Sequence, residues 1–167
     1  MRNRKTEYLV EGNCEKALID ALKSDPALVT PGKVVVYNIT SKYLSKGLLM
    51  TITPGTEIVL VFDTDVDDSV ILKKNIQTLE KAGAAYRIIT IPQVNNFEDE
   101  IVRSTDVRRP AELTGSKTLS DFKTDFIHIT NCRSLLEKHR FRMDLLWTQQ
   151  AKNSFAGITQ MSQHIKK

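Results

Sequence analysis

The feature that most constrains the fold is a series of short apolar runs separated by segments of helical periodicity. The most apolar run is 57–62 (EIVLVF), and related runs lie at 6–10, 33–39 and 86–91. Strands that are apolar throughout are typical of parallel sheets, because helices cover both faces of such a sheet. The order of elements therefore predicts an α/β fold, with a Rossmann-like parallel sheet of about four strands flanked by helices.

Capping and turn residues predict where these elements begin and end. The first helix is predicted to start at Asn13, and the helix after the third strand is predicted to stop at Gly83. Between them, Ser41 is predicted to cap a short helix. Pro92 is predicted to end the fourth strand, because proline cannot donate a backbone hydrogen bond to a neighbouring strand.

The sequence changes character after the fourth strand. Residues 1–105 are predicted to form the α/β core, and residues 106–167 a basic, mostly helical extension packed on it. Within the extension, the polar stretch 107–123 is predicted to be the least structured part. Residues 119–147 are predicted to form one or two helices, and residues 148–167 a loose helix or tail.

Charge is distributed unevenly along the chain. Residues 1–100 contain 12 Lys and Arg against 14 Asp and Glu, whereas residues 101–167 contain 12 against 6. An acidic half followed by a basic half suits a site for cations beside a surface for phosphates. A solvated basic helix face is the alternative explanation.

The apolar segments are too short for a membrane protein. No run approaches the roughly 20 residues that span a bilayer, and the N-terminal segment lacks the apolar stretch of a signal peptide. We therefore expect a cytoplasmic protein without a membrane partner. Cys14 and Cys132 lack the spacing of metal ligands and are expected to be free thiols.

Acidic residues follow three of the four predicted strands. Glu11 follows the first strand, Asp63 and Asp65 follow the third, and Glu98 follows the fourth after a short loop. Glu15 lies four residues beyond Glu11, at helical spacing. The carboxyl ends of parallel strands meet at one edge of a sheet, and converging carboxylates repel each other unless a cation neutralises them. These residues predict a site for Mg²⁺ or Mn²⁺, with turn formation and helix capping as the alternative.

This arrangement resembles the TOPRIM family, the metal-binding domain of topoisomerases, bacterial primases and several nucleases. The matching residues are Glu11 and Gly12 in YLVEG, and Asp63 and Asp65 in VLVFDTD. Glu15 and the acidic NFEDE loop are more similar to the branch typified by the overcoming-lysogenisation-defect (OLD) nucleases, which often act in phage defence. The resemblance covers about residues 6–103.

The resemblance implies a role for each matching acid. Glu11 would be a general acid/base or a metal ligand, and Asp63 and Asp65 would bind the metal. Glu15 would be a further ligand. The additional acid that completes the site in the nuclease branch is assigned to Glu98 in preference to Glu100.

The resemblance also implies a lysine that stabilises the transition state. Lys117 is the first candidate by position, with Lys123 behind it. Further basic side chains are predicted to hold the nucleic-acid backbone without reading its sequence. They are Arg108, Arg109, Lys123, Arg133, Arg140 and Arg142.

Together these features predict a Mg²⁺-dependent phosphodiester hydrolase acting on DNA or RNA, a TOPRIM nuclease of a phage-defence system. The chain lacks the ATPase domain of the larger defence nucleases, so any ATP dependence would need a separate ATPase subunit. Two alternatives stay open. One is a non-catalytic TOPRIM-like module that docks on an ATPase or a nucleic-acid enzyme. The other is a phosphatase of the haloacid dehalogenase kind, which is disfavoured because its aspartate pair follows the first strand.

Overall fold

A computed structural model describes residues 4–167, which form a four-stranded, all-parallel sheet. The strands are β1 (Thr6–Val10), β2 (Lys33–Val36), β3 (Thr56–Asp63) and β4 (Ala85–Gln93), and they lie in the order β2-β1-β3-β4. Each pair of neighbours is parallel. The predicted α/β class and strand number are confirmed.

Helices connect the strands and continue into the extension. Within residues 4–167 the α-helices are α1 (Asn13–Leu22), α2 (Lys46–Thr51), α3 (Val70–Ala82), α4 (Phe97–Ser104), α5 (Pro110–Thr114), α6 (Leu119–His128) and α7 (Cys132–Lys138). Two 3₁₀ turns follow, at Asn153–Phe155 and Ser162–His164. The predicted start of α1 at Asn13 is confirmed. Gly83 ends α3 in the left-handed conformation, with φ of 65°.

The apolar strands bury side chains on both faces of the sheet. Val59 and Val61 of β3 lie in one hydrophobic cluster, while Leu60 and Phe62 lie in a second cluster on the opposite face. Successive residues of a strand point to opposite faces, so both sets must be apolar when helices cover both sides. Because both of its faces are buried, β3 has apolar residues at successive positions and does not alternate between apolar and polar ones.

The extension packs on the core through both clusters. Phe122, Phe126 and Trp147 join the first cluster, and Phe155 joins the second. Since 25 cal/mol per Å² of buried apolar surface is typical, each of these aromatic side chains adds about 1.5–3 kcal/mol of favourable burial. The extension therefore contributes to the same hydrophobic core as the sheet.

The prediction of a loose tail at residues 148–167 is wrong. Ile165 is 1 % exposed, and its carbonyl accepts a hydrogen bond from the backbone N–H of Thr30 at 2.8 Å. The backbone N–H of Met161 donates to the carbonyl of Thr90 on β4 at 2.9 Å. Around Met161 the segment lies beside β4, the edge strand, and covers part of its exposed edge.

Three further predictions about where elements lie differ from the structure. Ser45, rather than Ser41, caps α2 by accepting the backbone N–H of Leu48. Strand β4 continues through Pro92, which is tolerated because β4 is an edge strand. The stretch 107–123, predicted to be least structured, contains α5 and the start of α6. It is ordered by the buried side chains of Leu113 and Phe122.

Residues 139–147, which were predicted to be helical, are not helical. Helix α7 ends at Lys138, and both Arg140 and Trp147 have positive φ, of 54° and 52°. Residues with a Cβ rarely adopt this conformation, and it interrupts a helix. Among residues 4–167, no helix combines the length and apolar character needed to cross a membrane.

Candidate functional site

All four strands end in a polar residue or are followed closely by one, and these residues meet at the carboxyl edge of the sheet. Glu11 follows β1, Asn38 follows β2, Asp63 ends β3 and Gln93 ends β4. Asp63 and Gln93 are register partners in the parallel ladder between β3 and β4. The topology thus brings together four polar groups that are distant in sequence.

A cavity of about 260 Å³ opens at this edge. Glu11, Glu15 and Asp63 line it, with Glu98 from α4 and Lys123 from α6. Gly12, Asn13, Cys14 and Phe97 complete its wall. The structure therefore places four of the five acids predicted to bind metal around one cavity.

Glu11 is held across the edge of the sheet by two hydrogen bonds. Its Oε2 accepts the backbone N–H of Asp63 at 2.9 Å, and its Oε1 accepts the Asn38 side-chain amide at 3.1 Å. Asn38 is fixed in turn, because its Oδ1 accepts the backbone N–H groups of Thr40 and Ser41. Burial raises the pKa of Glu11, although the hydrogen bond from Asp63 opposes this effect.

Gln93 joins two of the other acids. Its Nε2 donates to Asp63 Oδ1 at 2.7 Å and to Glu15 Oε1 at 3.1 Å. Its Oε1 accepts the indole N–H of Trp147 at 3.1 Å. The Gln93 side chain is 0 % exposed, so these bonds satisfy a fully buried amide.

Burial and mutual repulsion raise the pKa values of acids in the cavity. Burial, followed by the charges of Glu15 and Glu11, raises the pKa of Asp63 to about 8. Burial also raises the pKa of Glu15, with contributions from Glu11 and Glu98. The site therefore favours uptake of positive charge, either as protons or as a cation.

A salt bridge closes one side of the cavity. Lys123 Nζ lies 2.8 Å from Glu98 Oε1, and this hydrogen bond raises the pKa of Lys123. The Lys123 side chain is 56 % exposed, whereas the Glu98 side chain is 11 % exposed, so the ammonium is solvated and the carboxylate is mostly buried. Because its ammonium reaches solvent, the lysine is accessible to an anionic ligand at the mouth of the cavity.

Glu98 and Glu100 face different surroundings, although both lie in the first turn of α4. Glu100 is fully buried away from the cavity lining, where it accepts the backbone N–H of Trp147 at 2.8 Å and pairs with Arg103 at 2.7 Å. The structure therefore assigns Glu100 to the packing of the extension, and it places Glu98 on the cavity.

Two residues that were predicted to bind metal or to take part in catalysis lie outside the cavity lining. Asp65 is exposed beyond the end of β3, although its charge raises the pKa of Glu11 and of Asp63. Lys117 is exposed in the turn between α5 and α6. Lys123, the second candidate for the catalytic lysine, is the one that lines the cavity.

The basic residues predicted to hold nucleic acid mostly have acidic partners on the surface. Salt bridges join Arg109 to Glu112, Arg133 to Asp25 and Glu137, Arg140 to Asp106, and Arg142 to Asp144. Arg108 is exposed. Exposed pairs contribute about 0–1 kcal/mol, so a phosphate could displace the acid. Of the six predicted residues, only Lys123 lines the acidic cavity.

The donor atoms around the cavity suit a hard cation. Carboxylate oxygens are the ligands that Mg²⁺ and Mn²⁺ prefer. Within residues 4–167, however, no three Asp, Glu, His or Cys side chains are close enough to hold an ion together. Metal binding would therefore require oxygens of Glu11, Glu15 and Asp63 to approach a shared point, while Asp63 Oδ1 and Glu15 Oε1 keep their hydrogen bonds from Gln93. Cys14 is a poor alternative ligand, since burial raises the pKa of its thiol to about 12.

Sequence reasoning missed Gln93, Asn38 and the polar role of Trp147. Gln93 and Asn38 obey the rule that identified Glu11 and Asp63, because each lies at or just beyond the end of a strand. A search for every polar residue at these positions would have found both. Trp147 is buried in the core, and its indole N–H bond to Gln93 depends on a contact across 54 positions in the chain.

The fold and the site together define an α/β protein with an acidic pocket at the carboxyl edge of its parallel sheet. Comparisons of the chain with protein-family models, with curated proteins and with solved structures find no match.

Proposed function

We propose that this protein is a Mg²⁺- or Mn²⁺-dependent phosphodiester hydrolase acting on nucleic acid. The observation that supports the proposal most is the convergence of Glu11, Glu15 and Asp63 on one cavity, with raised pKa values and a lysine at the rim. Groups whose pKa is perturbed by burial and by each other in a cleft are typical of functional sites.

Each side chain has a distinct task in this proposal. A divalent cation at the site would polarise the scissile phosphate and activate water. Glu11, Glu15 and Asp63 would bind the cation, with Glu98 and Asp65 contributing from the periphery. Glu11 is also placed to take a proton, because Asn38 and the backbone of Asp63 hold its carboxylate in a defined orientation. A positioned carboxylate of raised pKa suits general base catalysis.

Lys123 has the position needed to balance charge on a phosphate. Its ammonium lies beside Glu98 at the cavity wall, and it would exchange this partner for a phosphate oxygen when substrate binds. Fixed cations stabilise charge that develops in phosphoryl transfer. The excess of Lys and Arg over Asp and Glu after residue 100 would attract the nucleic-acid backbone without selecting a sequence.

A cleavage assay tests this proposal directly. Purified protein is incubated with circular DNA, linear DNA and structured RNA in the presence of Mg²⁺, Mn²⁺ or EDTA. We expect cleavage that requires the metal and falls at least about 100-fold in Glu11→Gln and Asp63→Asn. Glu80→Gln, which alters an exposed acid of α3 outside the cavity lining, is the matched control and should retain activity. Absence of cleavage with either metal on every substrate would refute the proposal.

One observation favours a non-catalytic alternative, in which the acids bind a metal but the chain only docks on another nucleic-acid enzyme. Asp65 is exposed, and no three acids within residues 4–167 are already arranged to hold an ion. A hydrolase gains rate from a preorganised site, whereas a binding module needs less preorganisation. Calorimetric binding of Mn²⁺ that depends on Asp63, without cleavage of any substrate, would support this alternative.

A further inference from the structure

Trp147 connects the extension to the acidic cavity. It is the only tryptophan of the chain and is 1 % exposed. Its backbone has a positive φ of 52°, which is uncommon for a bulky residue and persists only where surrounding contacts hold it. Trp147 belongs to the extension, whereas Gln93, to which its indole donates a hydrogen bond, belongs to the sheet.

Three hydrogen bonds hold Trp147 in place. Its backbone N–H donates to Glu100 Oε2 at 2.8 Å, and its carbonyl accepts the Ser162 hydroxyl at 2.7 Å. Its indole N–H donates to Gln93 Oε1 at 3.1 Å. Glu100 is itself paired with Arg103. The position of the indole nitrogen is therefore determined by α4 and by the C-terminal segment together.

The indole also determines which way the Gln93 amide points. An indole nitrogen is a donor only, so it accepts no bond from an amide N–H. With the Gln93 oxygen turned toward Trp147, both amide hydrogens are directed at Asp63 Oδ1 and Glu15 Oε1. If the amide were reversed, its N–H groups would face the indole N–H of Trp147, and its oxygen would face the carboxylates of Asp63 and Glu15. Neither contact forms a hydrogen bond. Only one orientation satisfies every group.

We propose that Trp147 and Gln93 are positioning residues, which set the Asp63 and Glu15 carboxylates for cation binding. This inference rests on the proposed metal-dependent function, and it makes the extension a required part of the metal site. Glu15 and Asp63 each accept one hydrogen bond from Gln93 through a single carboxylate oxygen. The same amide therefore orients the remaining oxygen of each acid. Partners that orient ligands in this way typically affect metal affinity by about 10–100-fold.

The test measures Mn²⁺ affinity by calorimetry in the full chain and in Trp147→Phe, Gln93→Met and the double variant. Phenylalanine keeps an aromatic ring but lacks the N–H, and methionine keeps an unbranched chain but lacks the amide and its three hydrogen bonds. We expect each single variant to weaken affinity about tenfold. The double variant should bind about as weakly as Gln93→Met alone, because Trp147 acts through Gln93.

Two further measurements separate positioning from packing. Ile165→Val removes one methylene from a buried residue of the extension and should leave Mn²⁺ affinity unchanged. The ¹⁵N-labelled chain has a single indole N–H signal, which must come from Trp147. That signal should shift on titration with Mg²⁺ in the wild-type chain and should lose this shift in Gln93→Met.

The outcomes distinguish the inference from the function on which it rests. If the wild-type chain binds no metal, the proposed function fails and the inference fails with it. If the wild-type chain binds metal and folded Trp147→Phe binds it equally well, the inference alone is overturned. If the losses of Mn²⁺ affinity in the two single variants add up in the double variant, the inference is also overturned. Additive losses would mean that Trp147 does not act through the Gln93 amide.

Discussion

Gln93 Nε2 donates a hydrogen bond to Asp63 Oδ1 at 2.7 Å, and the two residues are opposite each other at the carboxyl ends of β3 and β4. The parallel ladder therefore sets the distance between an amide and an acid that are 30 positions apart in the chain. The same amide reaches Glu15, so one sheet register positions two carboxylates of the candidate site.

The first prediction concerns Gly12, which precedes α1. A Cβ at this position would lie 3.0 Å from Glu15 Oε2, so Gly12→Ala should displace that carboxylate. The φ of Gly12 is −146°, which any residue adopts, and backbone strain is not expected. Mn²⁺ affinity should fall about tenfold with little change in melting temperature. Gly157→Ala, where a Cβ meets open space, is the control. Equal affinity in both variants would contradict the prediction.

The second prediction is that metal binding and stability depend on pH in opposite directions. The pKa of Asp63 is raised to about 8 in the folded chain, above its value in the unfolded chain. Its contribution to the stability of the metal-free protein is therefore largest below about pH 4 and is lost as pH rises toward 8. A cation competes with the same proton, so Mn²⁺ affinity should increase up to tenfold per pH unit between about pH 6 and 8.

Calorimetry in buffers of different ionisation enthalpy measures the proton released on metal binding. Release should approach one proton near pH 6.5 and should decrease strongly in Asp63→Asn. Affinity that is constant from pH 6 to pH 8 would show that Asp63 is already ionised in the metal-free protein.

The third prediction separates the two candidate lysines. Lys123→Met should lower cleavage about 10–100-fold, because Lys123 lines the cavity and faces Glu98. Its cost in folding stability should be about 1–3 kcal/mol, because the mostly buried Glu98 carboxylate loses its partner. Lys117→Met should leave cleavage unchanged. Single-turnover rates and urea unfolding measure the two effects, and the reverse order of rates would assign the role to Lys117.

The fourth prediction distinguishes the two glutamates of α4. Glu100→Ala should reduce the free energy of unfolding by about 3–5 kcal/mol, because it leaves Arg103 without its buried partner and the Trp147 N–H without an acceptor. Glu98→Ala leaves only the exposed Lys123 ammonium without a partner, where water solvates it, and should cost less than about 1 kcal/mol. Urea denaturation compares the two variants. Equal losses would show that Glu98 stabilises the folded chain as much as Glu100 does.

Much of the fold and part of the site were predictable from local sequence. The run 57–62 predicted a buried strand because both of its faces are apolar, and Gly83 marked the end of α3 through its capping preference. The end of a strand is also visible in sequence. Glu11 and Asp63 were therefore expected at one edge of the sheet, and the structure places them in hydrogen-bonding contact there.

Other features depended on contacts between distant residues. Local sequence does not show which face of α4 meets the cavity, so the separation of Glu98 from Glu100 needed the packing of α4 against Trp147. It also does not show that α6 delivers Lys123 to the cavity while Lys117 lies in an exposed turn.

By itself, the sequence determined a parallel α/β sheet and an acidic edge, because apolar periodicity and strand-end residues act over a few neighbouring positions. Only the tertiary structure decided that Gln93 and Trp147 organise that edge and that residues 148–167 pack against β4. These contacts bring together groups far apart in the chain, and their geometry follows from the burial of the whole core.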